Sequence, residues 1–216
     1  DIASVGHYSR GYCGGKVGQY SETPTISAVG YNNILTGTWV NKHNVKNNEN
    51  QSPNYNYWSI FRIAKEQKAN FTTALYSSWT DHRTMLLGEG KPETGNLKID
   101  YVYDGYDLDK ENFPKREYDL HIYDIDSVVC ERAAECIRTE APDLNWVYMW
   151  YPDDAYHIFG DGSFSDEYVY EAFLAEAIIQ NFISGLYVDI SDVKNNFKHE
   201  HFKNIVLEYC SKHGIK

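Results

Sequence analysis

Apolar positions along the chain alternate between helical and strand-like spacing. From Ser27 to Thr36, Ala28, Tyr31, Ile34 and Leu35 fall on one helical face. This predicts a short helix with Ser27 as its N-cap and Gly37 as its terminator. An Asn-dense loop follows, from Asn41 to Asn56. The run Tyr57–Gln67 reads as an amphipathic helix that turns Trp58, Phe61, Ile63 and Ala64 toward a core. Phe71–Trp79 is β-rich and ends in a polar Thr80-Asp81-His82 step. After the loop GEGKPETG, a second β-like run, LKIDYVYDGY, ends near Asp104. Asp124–Glu140 predicts a longer helix stopped ahead of Pro142. Leu144–Tyr151 is nearly continuous in apolar residues, the pattern of a strand buried on both faces of a parallel sheet. Glu167–Phe182 and Ser191–His213 predict two more helices. The Gly- and Tyr-rich residues 1–24 match neither a Walker loop nor a dinucleotide fingerprint and read as a wrapping surface loop. Alternating helices and strands, with no repeat and no low-complexity linker, predict one α/β domain over residues 1–216.

Composition narrows the functions available to such a domain. The chain has 216 residues, enough for one sizeable core, and 15% of them are aromatic, mostly its 19 Tyr. Tyr suits half-wet clefts because it buries area while keeping a polar tip. A net charge of −11 argues against a nucleic-acid polymer or an anionic membrane as partner. A small anionic substrate stays open, because a bound metal ion can supply positive charge locally. Cys13, Cys130, Cys136 and Cys210 show no CxxC spacing and read as core thiols. Cys130 and Cys136 share one helix and point to different sides of it. No segment has the length and apolarity to span a bilayer. A start at Asp1, without Met or a signal peptide, suggests a processed or excised piece.

Two stretches carry candidate chemistry. Ser27 stands before an apolar helix, as a cap or as a nucleophile. After the Leu144–Tyr151 run comes PDDAYHIFG, where ligands gather in open α/β sheets. Asp153 and His157 lie four residues apart, so one helical turn directs both to one spot. A carboxylate oxygen with an imidazole nitrogen suits Zn²⁺; the alternative is a plain helix cap. Asp81 and His82 read first as a loop salt bridge or cap, and His43 as a residue that orders its loop. His199 and His201 read as solvated. Asn70-Phe71-Thr72 matches a glycosylation sequon.

Together the two stretches resemble the alkaline phosphatase superfamily, in particular its nucleotide pyrophosphatase/phosphodiesterase branch. The first carries Pro24, Thr25, Ile26 and Ser27, then Thr36, Gly37, Trp39, His43 and Asn44. The second carries Pro152, Asp153, His157 and Gly160. The resemblance covers roughly residues 20–170 and implies a three-layer α/β/α fold with a mostly parallel central sheet, incomplete in this chain. It implies that Ser27 is the nucleophile and that Asp153 and His157 bind one of two zinc ions. The implied activity is hydrolysis of phosphodiesters or nucleotide pyrophosphates; alternatives are a phosphomonoesterase of the same fold or an inactive binding domain. The implied partner is a small phosphate ester or nucleotide. The implied location is the periplasm or the extracellular space.

The pattern also departs from the family. The family's first-strand Asp, its later Asp-His pair and one further His have no counterpart here. The chain is therefore expected to be an internal segment or a shortened relative. Gly30 stands where many relatives place a phosphate-binding Asn, which leaves Asn32 or Asn33 as substitutes for substrate binding. Tyr156 stands where many have Gly before the ligand His, and is expected to crowd the pocket or stack on a base or aryl group.

Overall fold

The computed structural model describes residues 9, 14–49, 52–68 and 70–159. The expected helices Glu167–Phe182 and Ser191–His213 lie outside these residues, as do Cys13, Gly160, His199, His201, Cys210 and His213.

The described part is mixed α/β, built on a small parallel sheet. Its elements run in the order α1 (Ser27–Thr36), α2 (Val40–His43), α3 (Ile60–Gln67), β1 (Thr73–Ser77), a π-helical turn (His82–Leu87), β2 (Tyr101–Tyr103), α4 (Leu120–Glu140), β3 (Leu144–Tyr148) and α5 (Tyr151–Phe159). Short 3₁₀ turns sit at Pro92–Thr94, Tyr106–Leu108 and Glu117–Asp119. The strand order is β2-β1-β3. β1 pairs in parallel with both neighbours: Ala74 faces Tyr101 on one side, and Thr73 through Ser77 face Leu144 through Tyr148 on the other.

Alternation along β1 distributes the core over the two sheet faces. Leu75 joins Ala28, Val29, Leu35, Phe61 and Leu86 on the face covered by α1 and α3. Ala74 and Tyr76 join Ile125, Val129, Ala133, Tyr151 and Ala155 on the face covered by α4 and α5. Every residue of β1 is buried.

Several sequence expectations shift here. The strand buried on both faces is β1 rather than the Leu144–Tyr151 run. β3 stops at Tyr148, is half-buried, and leaves Val147 39% exposed. Tyr151 begins α5 because the Asp126 carboxylate accepts the N–H groups of Trp150 (3.0 Å) and Tyr151 (2.7 Å), which turns the chain out of the sheet. α3 starts at Ile60, where the Ser59 hydroxyl accepts the Arg62 N–H. Trp58 therefore precedes the helix, exposed and stacked on the Arg62 guanidinium at 4.0 Å, and Ile63 is also exposed. Of the four residues expected to face the core from this helix, Phe61 alone is fully buried. α4 begins at Leu120, four residues earlier than the apolar spacing suggested.

Ser27 is not an N-cap. It is the first helical residue of α1; the capping position is Ile26, and no side chain at that position bonds the helix. Asn48, reaching in from the Asn-rich loop, accepts the Ala28 N–H at 2.9 Å instead. The end matches the expectation: Gly37 adopts φ 64° and returns its N–H to the Asn33 carbonyl at 2.8 Å. Cys130 and Cys136 are both buried on α4, with no disulfide between them. Cys136 packs near Tyr76, and the Cys130 Sγ lies 2.9 Å from the Met149 Sδ.

Candidate active site

The carboxyl ends of β1 and β3 meet the N-terminal half of α1. β1 ends in Ser77, whose hydroxyl lies 2.8 Å from the His82 Nδ1 and 2.8 Å from the Trp79 carbonyl oxygen. His82 is 0% exposed. Four rings enclose its imidazole, with centroids at 4.4 Å (Tyr148), 4.8 Å (Tyr31), 5.2 Å (Trp79) and 5.6 Å (Trp146). Burial pushes its pKa down to about 3, so the ring is neutral at physiological pH. Its Nε2 is buried and makes no hydrogen bond.

Tyr31 connects this box to the predicted site. Its hydroxyl donates to that of Tyr148 at 3.2 Å. Burial raises the pKa of this phenol, and the charge of Asp153 adds to the effect. Burial also raises that of Tyr148, with Tyr31, Asp126 and Asp153 adding to the effect.

Asp153 and His157 lie one turn apart on α5, with Oδ1 and Nε2 separated by 3.7 Å. Their side chains are 52% and 69% exposed. Tyr156 is 42% exposed and meets the His157 ring edge-on at 5.8 Å. Asp154 turns elsewhere and accepts the Trp150 indole N–H at 3.1 Å. Burial, helped by the charges of Asp119 and Asp153, raises its carboxyl to about 6.

Asn32 and Asn33 lie further along α1 than Ser27. Asn32 is buried and lines a separate small pocket with Tyr55, Trp58, Arg62 and Leu86. Asn33 pairs with His43 Nε2 at 2.6 Å. His43 Nδ1 accepts the Val45 N–H at 3.1 Å. His43 orders its loop in this way, and its carbonyl accepts the Asn54 N–H. Asp81 makes a local bond with the Thr84 hydroxyl.

Sequence reasoning overlooked Asp126, Tyr31 and Tyr148 as parts of this region, and its reading of His82 as a loop salt bridge or cap gives way to an imidazole buried among four rings. Asp126 is fully buried; it accepts the Ser78 hydroxyl as well as the two N–H groups that open α5. Burial pushes its carboxyl up to about 7, against the pull of these three donors. A signal for it existed: Asp126 interrupts the apolar stripe of Ile122, Ile125 and Val129 on α4. Tyr31 and Tyr148 carried no such signal, because each occupies a position that an ordinary core residue would fill.

No protein-family model matches this chain, and neither a curated protein nor a solved structure matches it. Among the described residues, no three His, Cys, Asp or Glu side chains form a group that could hold a metal ion, and no helix is long and apolar enough to cross a membrane.

Proposed function

We propose that the chain is a metal-dependent phosphodiesterase of the nucleotide pyrophosphatase type, with an alkaline phosphatase-like fold, and that Ser27 is its nucleophile. The observation that carries this reading is the pair Asp153 and His157, whose Oδ1 and Nε2 lie 3.7 Å apart on the helix that follows β3. The parallel sheet with helices on both faces is compatible with such a fold.

The donor chemistry fits zinc in part. Asp153 Oδ1 and His157 Nε2 are an oxygen and a nitrogen donor close together on one helical turn, and the nucleophile proposed to meet them is the Ser27 hydroxyl. When bound, zinc would acidify that hydroxyl and offset phosphate charge. The chain's own groups do the rest. Ser27 Oγ attacks phosphorus, and the bond to the leaving-group oxygen breaks. The N-terminus of α1 offers partial positive charge to the phosphate oxygens. Water then attacks the phosphoryl-serine, releasing the second product and restoring the hydroxyl. Tyr156, exposed beside His157, is positioned to stack on a base or aryl leaving group.

The test supplies Zn²⁺ with the para-nitrophenyl ester of thymidine phosphate and, separately, para-nitrophenyl phosphate. Diester turnover that Ser27→Ala lowers by about a thousandfold or more supports the proposal. Preferential turnover of the monoester identifies a phosphomonoesterase instead. Absence of turnover, with no zinc retained, identifies a binding domain.

A further inference from the structure

We propose that the small pocket between α1 and the start of α3 binds a small 2-hydroxycarboxylate, held by Asn32 and Arg62. The inference does not rest on the phosphodiesterase reading above, and none of its residues belongs to that site.

Asn32 is 1% exposed and lines this pocket with Arg62, Tyr55, Tyr57 and Trp58. Among the described residues, neither Oδ1 nor Nδ2 of Asn32 has a hydrogen-bond partner, and the buried Nε of Arg62 has none either. A buried amide that meets nothing weakens the fold, whereas an apolar side chain of the same shape would not. A ligand that enters the pocket gives these atoms their partners. Asn32 Nδ2 and Arg62 Nε each call for an acceptor, and Asn32 Oδ1 calls for a donor. The rest of the guanidinium is already fixed: Nη1 donates to the Glu93 carbonyl at 3.0 Å, and the group lies 4.0 Å over the Trp58 ring. Arg62 is thus a planar donor held in one orientation, the form that suits a carboxylate.

Charge makes the same choice. Lys42 Nζ lies 5.8 Å from the centre of the Tyr57 ring and Lys91 Nζ 5.3 Å from that of Tyr55. Lys91 also donates to the Tyr55 hydroxyl at 3.1 Å. Three rings that line the pocket therefore each carry a cation, in a chain of net charge −11. Among the described residues, Arg62, Lys42 and Lys91 form no ion pair. Such a field draws in a carboxylate and repels an ammonium group, so the donor to Asn32 Oδ1 is a hydroxyl rather than an amine. A hydroxyl on the carbon beside the carboxylate presents donor and acceptors within the span of a small pocket. Tyr57 and Trp58, both partly exposed, bring the pocket to the surface.

The test titrates the full chain with lactate and with propionate, which keeps the carboxylate and lacks the hydroxyl, by calorimetry and thermal shift. Lactate should fill one site with a Kd of about a millimolar, and propionate should bind about tenfold more weakly because it leaves Asn32 Oδ1 unmet. Arg62→Lys keeps the charge but loses the fixed Nε–H, and should weaken lactate binding about tenfold. Asn32→Leu separates a ligand role from a structural one. It replaces the amide with an apolar group of similar volume, so the melting temperature without ligand should hold or rise while lactate binding disappears. A clear fall in that melting temperature would make the amide structural and overturn the inference. So would the absence of saturable lactate binding, equal affinities for lactate and propionate, or an unchanged affinity in Arg62→Lys.

Discussion

Asp126 and Asp153 flank the first turn of α5 and live in opposite surroundings. Asp126 is sealed between β1 and α4, and three donors hold it: the Ser78 hydroxyl and the N–H groups of Trp150 and Tyr151. Asp153 stands on the wet face of the same helix, its near neighbour the even more exposed imidazole of His157. The sealed carboxylate positions the helix. The exposed one is free to meet a ligand. Groups that share a turn can thus divide structural and chemical duties, because burial makes an unmet hydrogen bond expensive and exposure makes it cheap.

Substitutions should separate the two duties. The largest effect belongs to Asp126→Ala, which strands three buried donors and frees the start of α5. A loss of about 3 kcal/mol is expected from unpaired buried groups, measured by urea denaturation. A loss below about 1 kcal/mol would show that α5 does not depend on this anchor. Next comes His82→Ala, which leaves a cavity inside the aromatic box and takes a partner from Ser77. About 2 kcal/mol is expected, together with altered near-ultraviolet dichroism from the surrounding Tyr and Trp rings. An unchanged aromatic spectrum would contradict the packing described above.

The pH dependence sharpens the contrast further. The folded state keeps His82 and His43 neutral down to about pH 3 and about pH 4, whereas an unfolded imidazole takes up its proton near about 6.5. Between these values the unfolded chain binds more protons, so both residues destabilise the fold as pH falls. Asp126 acts with the opposite sign. Its carboxyl, raised to about 7, holds a proton that an unfolded aspartic acid releases above about 4, so it favours folding as pH drops through that window. Two imidazoles outweigh one carboxyl, and the melting temperature should fall between pH 7 and pH 4. His82→Gln should flatten that decline and Asp126→Asn should steepen it. Parallel curves for all three proteins would remove these groups from the account.

The smallest effect on stability belongs to the exposed pair. Asp153→Ala and His157→Ala should each stay within about 0.5 kcal/mol of wild type, as exposed charge pairs do. Zinc retention after dialysis is expected to fall clearly in both variants. A large stability loss without a change in zinc retention would make the pair structural.

The sequence was most informative where local rules act alone. The bounds of α1 follow from helical spacing and the left-handed Gly37, and the separation of Cys130 from Cys136 on α4 follows from the same periodicity. The strand after Phe71 was visible as well, though longer than β1. The identity of the doubly buried strand was misplaced, because a continuous apolar run looks the same in a central strand and in a half-covered one. The capping of α1 was also misplaced. A serine at the right position suggested a cap, but the bond that closes the helix start comes from Asn48, which only the folded loop brings close.

The candidate site divides along the same line. Residue type and spacing alone pointed to Ser27, and to the Asp153/His157 pair one helical turn apart, because i,i+4 geometry is a property of the local backbone. Nothing local could reveal that Tyr31 would meet Tyr148, or that His82 would sit in a box of four rings. Those contacts link segments up to 117 residues apart. They exist only because β1 and β3 pair in parallel and lay their ends beside α1. Short-range geometry is written in the order of side chains; long-range chemistry waits for the sheet to choose which ends meet.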